Sequence, residues 1–129
     1  MLARTVAVLV LGFTSLSYGE SLERALFGEW QSEVGSHHTF RKDHTFTSRG
    51  SGIAITGTWS VRGHRLVTIN KSLDGREEYT NTCDIILRRD EFTHGMCEHV
   101  EKRNGQPPTR PELYSTSGVY HRVEHGHSI

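Results

Sequence analysis

The sequence predicts an all-β protein: an up-and-down antiparallel meander or barrel of about eight strands, preceded by a short N-terminal helical turn. Three observations support this fold class. From Gly28 onward, short segments rich in Thr, Val, Ile, Phe and Trp alternate between apolar and polar residues, which is the pattern of half-buried strands. Turn residues separate these segments at intervals of about 8–12 residues. Only one short segment has helical spacing, so the sequence offers no crossover helices for a parallel sheet.

The helical turn and the strands follow one another without a low-complexity linker. The helical segment is Ser21–Phe27, because Leu22 and Leu26 lie four residues apart and its first residue is a serine, which can cap the first turn. The clearest strand is Ile53–Val61, whose odd-numbered residues share one face with Trp59. The predicted strands, in chain order, are Glu29–Val34, Thr39–Arg41, Thr45–Ser48, Ile53–Val61, Arg65–Asn70, Tyr79–Leu87, Phe92–Val100 and Ser117–Val123.

Turn signals join these strands into hairpins. The turns are Lys42–His44, Arg62–His64, Asp74–Gly75 and Arg88–Glu91. One irregular stretch, Asn104–Pro111, contains all three prolines of the chain. Proline lacks the amide donor of a strand ladder and fixes φ, so this stretch is predicted to be a loop before the last strand.

The first 19 residues have the layout of a secretory signal peptide. A short basic start with Arg4 precedes the apolar run Val6–Phe13, and small residues occupy positions −3 and −1 of a cut before Glu20. This run is far shorter than the ~20 apolar residues that a membrane span needs. We therefore expect residues 20–129 to form a single domain that is secreted or periplasmic and has no membrane span.

Composition narrows what this domain does. Residues 20–129 contain 32 apolar residues, 14 Lys or Arg and 15 Asp or Glu. This is enough for one small core, and it excludes a two-domain enzyme and a polybasic nucleic-acid surface. So few apolar residues also argue against a large apolar pocket.

Four short motifs carry a resemblance to a known family. They are Gly28–Trp30 directly after the helical turn, Phe40–Phe46, Gly57–Trp59 and Gly118–Arg122. Over about residues 24–124 the chain resembles the small bacterial lipocalin-like domains of the calycin superfamily. In that family a leading Gly-x-Trp packs its indole across the closed end of the barrel, and a basic residue of the last strand often lies over it.

The resemblance implies structural roles for Trp30 and Arg122. Physical chemistry agrees, since a buried indole N–H needs a partner and a guanidinium can stack on the ring by a cation–π contact. Trp59 is expected to be an ordinary core aromatic. Neither tryptophan is expected to contact a ligand.

Cys83 and Cys97 are the only two cysteines of a chain that is expected to be exported, so they are expected to form a disulfide. The apolar pattern pairs Leu87 with Phe92, and this register leaves the two cysteines on opposite faces of the hairpin. One extra residue in the second strand restores the alignment, and Gly95 is the natural position for such a bulge. The sequence therefore predicts a Cys83–Cys97 bridge with a bulge near Gly95.

Eight of the nine histidines fall, together with Cys97, into three groups with metal-ligand residue types. No spacing matches a closed metal site, so most are expected to be solvated positions on strands and a frayed tail. The C-terminal group is the one with a weak prospect of binding Zn²⁺ or Cu²⁺, and no resident cofactor is expected otherwise. The groups are His37, His38 and His44; His94, Cys97 and His99; and His121, His125 and His127.

No catalytic motif is present: the sequence has no nucleophile elbow, phosphate-binding glycine loop, His-Glu-x-x-His helix or paired-cysteine zinc ribbon. Its remaining candidate acid pairs are expected to be solvated charges; they involve Asp84, Asp90, Glu91 and Glu98. We therefore predict binding rather than catalysis.

Three binding functions remain open. The first is a hydrophobic or amphipathic small molecule held in the barrel mouth, where ligand sites often occur. The second is a protein–protein module, such as a periplasmic inhibitor of a hydrolase, which acts through the loops Ser36–His38, Ser48–Gly52 and the proline loop with Arg110. The third is metal binding, which depends on histidine count alone. A hollow interior would favour the first function and a filled one the second.

Overall fold

A computed structural model describes residues 18–115 and 118–124 of the chain. In this part of the chain one helix, α1 (Tyr18–Leu26), precedes nine antiparallel strands. The strands are β1 (Gly28–Ser32), β2 (His37–Phe40), β3 (Thr45–Gly50), β4 (Ile53–Arg62), β5 (Arg65–Lys71), β6 (Glu77–Arg88), β7 (Glu91–Arg103), β8 (Glu112–Ser115) and β9 (Val119–Arg122).

The strands form a closed ring. Strands β1 to β7 pair in chain order, and β9 pairs with both β1 and β7. Strand β8 pairs with β7 further along the same edge, so β8 and β9 share the eighth position of the barrel. The predicted fold class, an antiparallel barrel of about eight strands behind a short helix, is confirmed.

The structure corrects several element boundaries. The sequence did not predict β8, which starts directly after Pro111 and is four residues long. The first strand ends at Ser32 rather than Val34, because Gly35 adopts a positive φ of 89° and its amide turns back to the Ser32 carbonyl. Helix α1 begins at Tyr18 rather than Ser21. Most of the expected leader lies in residues 1–17, outside the described residues, so it remains a prediction.

The closed end of the barrel is filled by α1 and aromatic side chains. The apolar face of α1 buries Leu22 and Leu26 against a cluster that includes Trp30, Trp59 and Phe92. Phe92 packs edge-to-face on Trp30, with ring centroids 4.9 Å apart. Both indoles satisfy their N–H groups: Trp30 donates to the Leu26 carbonyl and Trp59 to a backbone carbonyl of the β2–β3 turn, each at 2.9 Å. This end of the barrel is therefore solid.

Arg122 joins the last strand to the end of the helix. Its guanidinium carbon lies 4.3 Å from the centroid of a Trp30 ring, which is the cation–π contact that the resemblance implied. The same group donates to the carbonyls of Ala25 and Phe27 at 2.5 and 2.8 Å. A cation at these carbonyls also stabilises the negative end of the helix dipole. Arg122 therefore connects β9, Trp30 and α1.

The Cys83–Cys97 disulfide joins β6 to β7, and the two residues pair directly. The register shifts immediately afterward, where Gly95 and its neighbour in β7 lie opposite Asp84 alone. A side chain at Gly95 would put its Cβ 3.3 Å from the Asp84 Cβ, which is a tight approach. The predicted bridge and the bulge near Gly95 are both confirmed. A disulfide fits an oxidising compartment such as the periplasm or the cell exterior.

Helix α1 has nine residues. Within residues 18–115 and 118–124, no helix has the length and apolar character of a membrane span.

Candidate functional site

The barrel interior contains a cavity of about 270 Å³. It shares Phe40, Phe46 and Leu66 with the core cluster and continues from there along the lumen. Its wall combines apolar atoms, including the disulfide, with uncharged polar groups. Among the described residues, no Asp, Glu, Lys or Arg side chain lines it. The other lining residues are His38, Ser48, Ile55, Thr68, Asn70, Asn81, Cys83, His94, Cys97, Tyr114, Gly118 and Tyr120.

Strand alternation and register place these side chains in the lumen. Ser48 of β3 pairs with His38 of β2 on one side and with Ile55 of β4 on the other. Gly57 lies two residues after Ile55, on the same face of β4. A Cβ on Gly57 would lie 2.1 Å from the Ile69 carbonyl oxygen, so only glycine allows β4 and β5 to approach so closely here.

Three polar aromatic side chains, His38, His94 and Tyr120, form what we term the floor cluster. The ring centroid of His38 lies 4.5 Å from that of Tyr120 and 6.3 Å from that of His94, and His94 lies 5.6 Å from Tyr120. The cluster packs on the fully buried ring of Phe92. Tyr120 stacks on Phe92 at 4.9 Å, and His94 meets it edge-on at 5.4 Å. The floor cluster therefore lies between the buried ring of Phe92 and the cavity.

The polar atoms of the floor cluster have no protein partner in the part of the chain that the structure describes. Within residues 18–115 and 118–124, no side chain forms a hydrogen bond with the imidazole of His38, the imidazole of His94 or the hydroxyl of Tyr120. A neutral imidazole carries one donor and one acceptor nitrogen, and a phenol hydroxyl both donates and accepts. Buried polar groups in native proteins are normally paired with protein, water or a ligand. Among the described residues, these groups are thus open to water or a ligand in the cavity.

The floor cluster is electrically neutral at pH 7. Burial, together with the charges of the neighbouring His94 and His37, lowers the pKa of His38 to about 4. Burial also lowers the pKa of His94 and raises the pKa of Tyr120. The cavity therefore offers hydrogen-bonding groups without a net charge.

The lowered pKa of His38 predicts that acid destabilises the folded protein. The pKa of His38 is lower in the folded protein than the unfolded value of 6.5, so the unfolded state binds more protons between about pH 6.5 and 4. The resulting loss in the free energy of unfolding is absent above pH 6.5 and grows as the pH falls toward 4. We expect it to reach about 2 kcal/mol, after allowance for solvent in the open cavity.

Urea unfolding of the native protein and of His38→Phe, at pH 7 and at pH 4.5, measures this effect. The carboxylates titrate alike in both proteins, so the difference between the two pH dependences isolates His38. The variant should lose less stability on acidification. Equal losses in the two proteins would contradict the prediction.

At the mouth, by contrast, polar side chains bond to one another. His99 contacts the Asn81 side-chain oxygen at 2.8 Å and a Glu101 carboxylate oxygen at 3.1 Å. Tyr114 donates to the same Asn81 oxygen at 3.0 Å, and Tyr79 stacks on His99. Asn81, His99 and Tyr114 at the mouth thus have side-chain partners, whereas no described side chain pairs with the polar atoms of the floor cluster.

The structure separates the histidine groups that the sequence suggested as metal ligands. His37 and His38 are adjacent on β2 and so point to opposite faces. His44 lies in the β2–β3 turn and contacts Glu23 of α1 at 3.1 Å. Cys97 is held in the disulfide and does not act as a thiolate ligand.

The C-terminal histidine group is only partly described. His121 is exposed and lies 3.9 Å from Glu91, whereas His125 and His127 lie outside the described residues. Within residues 18–115 and 118–124, no three His, Cys, Asp or Glu side chains are placed to hold a metal ion. The expectation of solvated positions was wrong for His38 and His94, because strand parity turns both into the lumen.

Fold and site together define a small β-barrel with one solid end and a neutral lumenal cavity. No family model, curated protein or solved structure matches the chain. The geometry of the lumen is therefore the basis for a functional assignment.

Proposed function

We propose that this protein is an exported binding module that holds one small, uncharged, amphipathic molecule in the lumen of its barrel. The observation that carries the proposal is the cavity of about 270 Å³ with a floor cluster whose polar groups have no side-chain partner among the described residues. Ligand sites in proteins are typically mostly apolar, with a few placed polar groups. This cavity has that composition.

The volume limits the size of the ligand. An engineered apolar cavity of about 150 Å³ in another protein accommodates benzene. A cavity of about 270 Å³ therefore suits a molecule of one or two rings, or a short branched chain. The absence of charged side chains in the wall favours an uncharged molecule, because burying an unpaired ion is costly.

The calycin assignment is part of this proposal. It is supported by the Gly28–Trp30 motif directly after α1, by the position of Arg122 over Trp30, and by an eight-position barrel whose lumen is hollow beyond the core. Export is supported by the leader-like first 19 residues and by the disulfide. A hollow lumen also distinguishes this function from that of a filled barrel that acts only through its loops.

A pair of neighbouring substitutions tests whether the lumen binds. The native protein should quench or shift the fluorescence of 2-methylnaphthalene on titration. Ser48→Phe places a ring in the cavity and should weaken binding at least tenfold. Arg49→Phe is the matched control, because the next residue of β3 points outward and is exposed, and it should bind as the native protein does.

Circular dichroism and the unfolding midpoint show whether both variants fold. A native protein that binds no probe, or folded Ser48→Phe that binds as well as Arg49→Phe, would overturn lumenal binding.

A further inference from the structure

We infer that the floor cluster is a subsite for a hydroxyl group on an aromatic ring, and that the ligand is a phenol-like molecule that enters hydroxyl first. This inference rests on the proposed function and names the ligand class of the same cavity. The observation behind it is that His38, His94 and Tyr120 lie side by side, facing the cavity, with polar atoms that have no partner among the described residues.

Hydrogen-bonding chemistry selects the hydroxyl group. The floor cluster presents both donors and acceptors, because each neutral imidazole has one of each and the Tyr120 hydroxyl is both. A ligand hydroxyl donates and accepts, so it matches this set. A carbonyl only accepts, and an ammonium only donates, so each leaves part of the set unpaired at a cost in free energy.

Electrostatics excludes a carboxylate as the preferred group. A carboxylate would carry a full negative charge into a cavity whose wall has no Lys or Arg. The guanidinium of Arg122, which lies two residues after Tyr120 on β9, is engaged by Trp30 and by the carbonyls at the end of α1. Transfer of an ion into such a site is unfavourable unless it is paired.

The surroundings select an aromatic ring. The rings of Phe40 and Phe46 and the disulfide line the cavity around the floor cluster. Aromatic pairs in offset or edge-on geometry gain more than their buried area alone provides. A planar ring is thus the shape that these walls fit.

The two ends of the cavity determine the orientation. Tyr114 and Asn81 at the mouth already bond to each other, and Asn81 also bonds His99. Within the described part of the chain, the floor cluster has no such bonds. A ligand hydroxyl therefore gains more hydrogen-bond energy at the floor cluster than at Asn81 or Tyr114. The ligand is thus expected to enter the lumen with its hydroxyl group leading.

Three probes with one ring system test this inference at pH 7: 2-naphthol, 2-methylnaphthalene and 2-naphthoate. Fluorescence titration of the full barrel should show 2-naphthol binding at least tenfold more tightly than 2-methylnaphthalene, a difference of about 1.4 kcal/mol. The carboxylate should bind more weakly than 2-naphthol by at least the same factor.

Single substitutions then locate the preference. His94→Leu and Tyr120→Phe should each reduce the ratio of 2-naphthol to 2-methylnaphthalene affinity at least threefold, while 2-methylnaphthalene still binds. Tyr120→Phe removes one oxygen only, so it keeps the test valid if His94→Leu does not fold. His37→Leu, which changes the neighbouring outward-facing histidine, should leave the ratio unchanged.

The outcomes separate this inference from the proposed function. Equal affinity for 2-naphthol and 2-methylnaphthalene, or a ratio unchanged in both His94→Leu and Tyr120→Phe, would overturn the hydroxyl subsite and leave lumenal binding intact. Tightest binding of 2-naphthoate would overturn the uncharged ligand class. Failure of all three probes to bind would overturn the proposed function itself, and the subsite with it.

Discussion

Trp30→Ala is expected to lower the free energy of unfolding by about 4 kcal/mol, the range for truncation of a fully buried tryptophan. The side chain has no exposed surface. Its removal leaves a void beside Phe92, and it takes the hydrogen-bond donor from the Leu26 carbonyl. It also removes the ring beneath the Arg122 guanidinium. For a domain of this size the unfolding midpoint should fall by well over 10 °C.

Urea denaturation of the native protein and the variant measures this loss. Leu73→Ala is the matched control, because Leu73 is fully exposed and its truncation should change stability by less than about 0.5 kcal/mol. Amide exchange in α1 should also accelerate in Trp30→Ala, since the helix loses the buried Trp30 ring and the hydrogen bond to its Leu26 carbonyl. A loss in the free energy of unfolding below about 1 kcal/mol would show that Trp30 does not stabilise the closed end of the barrel.

Removal of the disulfide is the second large effect. The Cys83→Ala/Cys97→Ala variant should lose about 3 kcal/mol, because the bridge closes a loop with a sequence separation of 14 residues. The loss arises mainly in the unfolded chain, whose freedom the bridge restricts. A core with few apolar residues has little reserve to offset it.

Reduction offers an internal control. A thiol reductant should destabilise the native protein by a similar amount and should leave the double alanine variant unchanged. Guanidinium unfolding with and without reductant provides both comparisons. A reductant effect of equal size on the variant would show that the loss does not come from this bridge.

The sequence was sufficient to predict the local order of the barrel. Alternation identified β4, and turn residues identified the hairpins on either side of it. The pairing of Cys83 with Cys97 and the bulge near Gly95 followed from register, because a one-residue shift reverses the face of every side chain. These are interactions between neighbouring strands.

Very short strands, and contacts between strands that are distant in sequence, were harder to predict. Strand β8 has only four residues and follows a proline loop, so its pattern is too brief to detect. The floor cluster was missed for a different reason: His38 belongs to β2, His94 to β7 and Tyr120 to β9, and only ring closure brings them together.

A sequence signal for the floor cluster does exist. His38 is two residues from Phe40, and His94 is two residues from Phe92, so each histidine shares the inward face of a core aromatic. Histidines grouped by proximity along the chain, rather than by strand face, were instead expected in solvent. Strand parity is thus the better guide to lumenal residues in a barrel.

The position of β9 in the ring has a consequence for how the chain folds. Trp30 of β1 pairs with Arg122 of β9, so the last ladder to form joins residues that are far apart in sequence. Loop closure over such a distance has a high entropic cost, and folds dominated by non-local pairing form slowly, on the scale of milliseconds to seconds. Until β9 arrives, β1 and the start of β7, which pairs with β9, are unpaired sheet edges, and such edges are templates for aggregation. We therefore expect the nascent chain to be most vulnerable to aggregation just before its final strand docks.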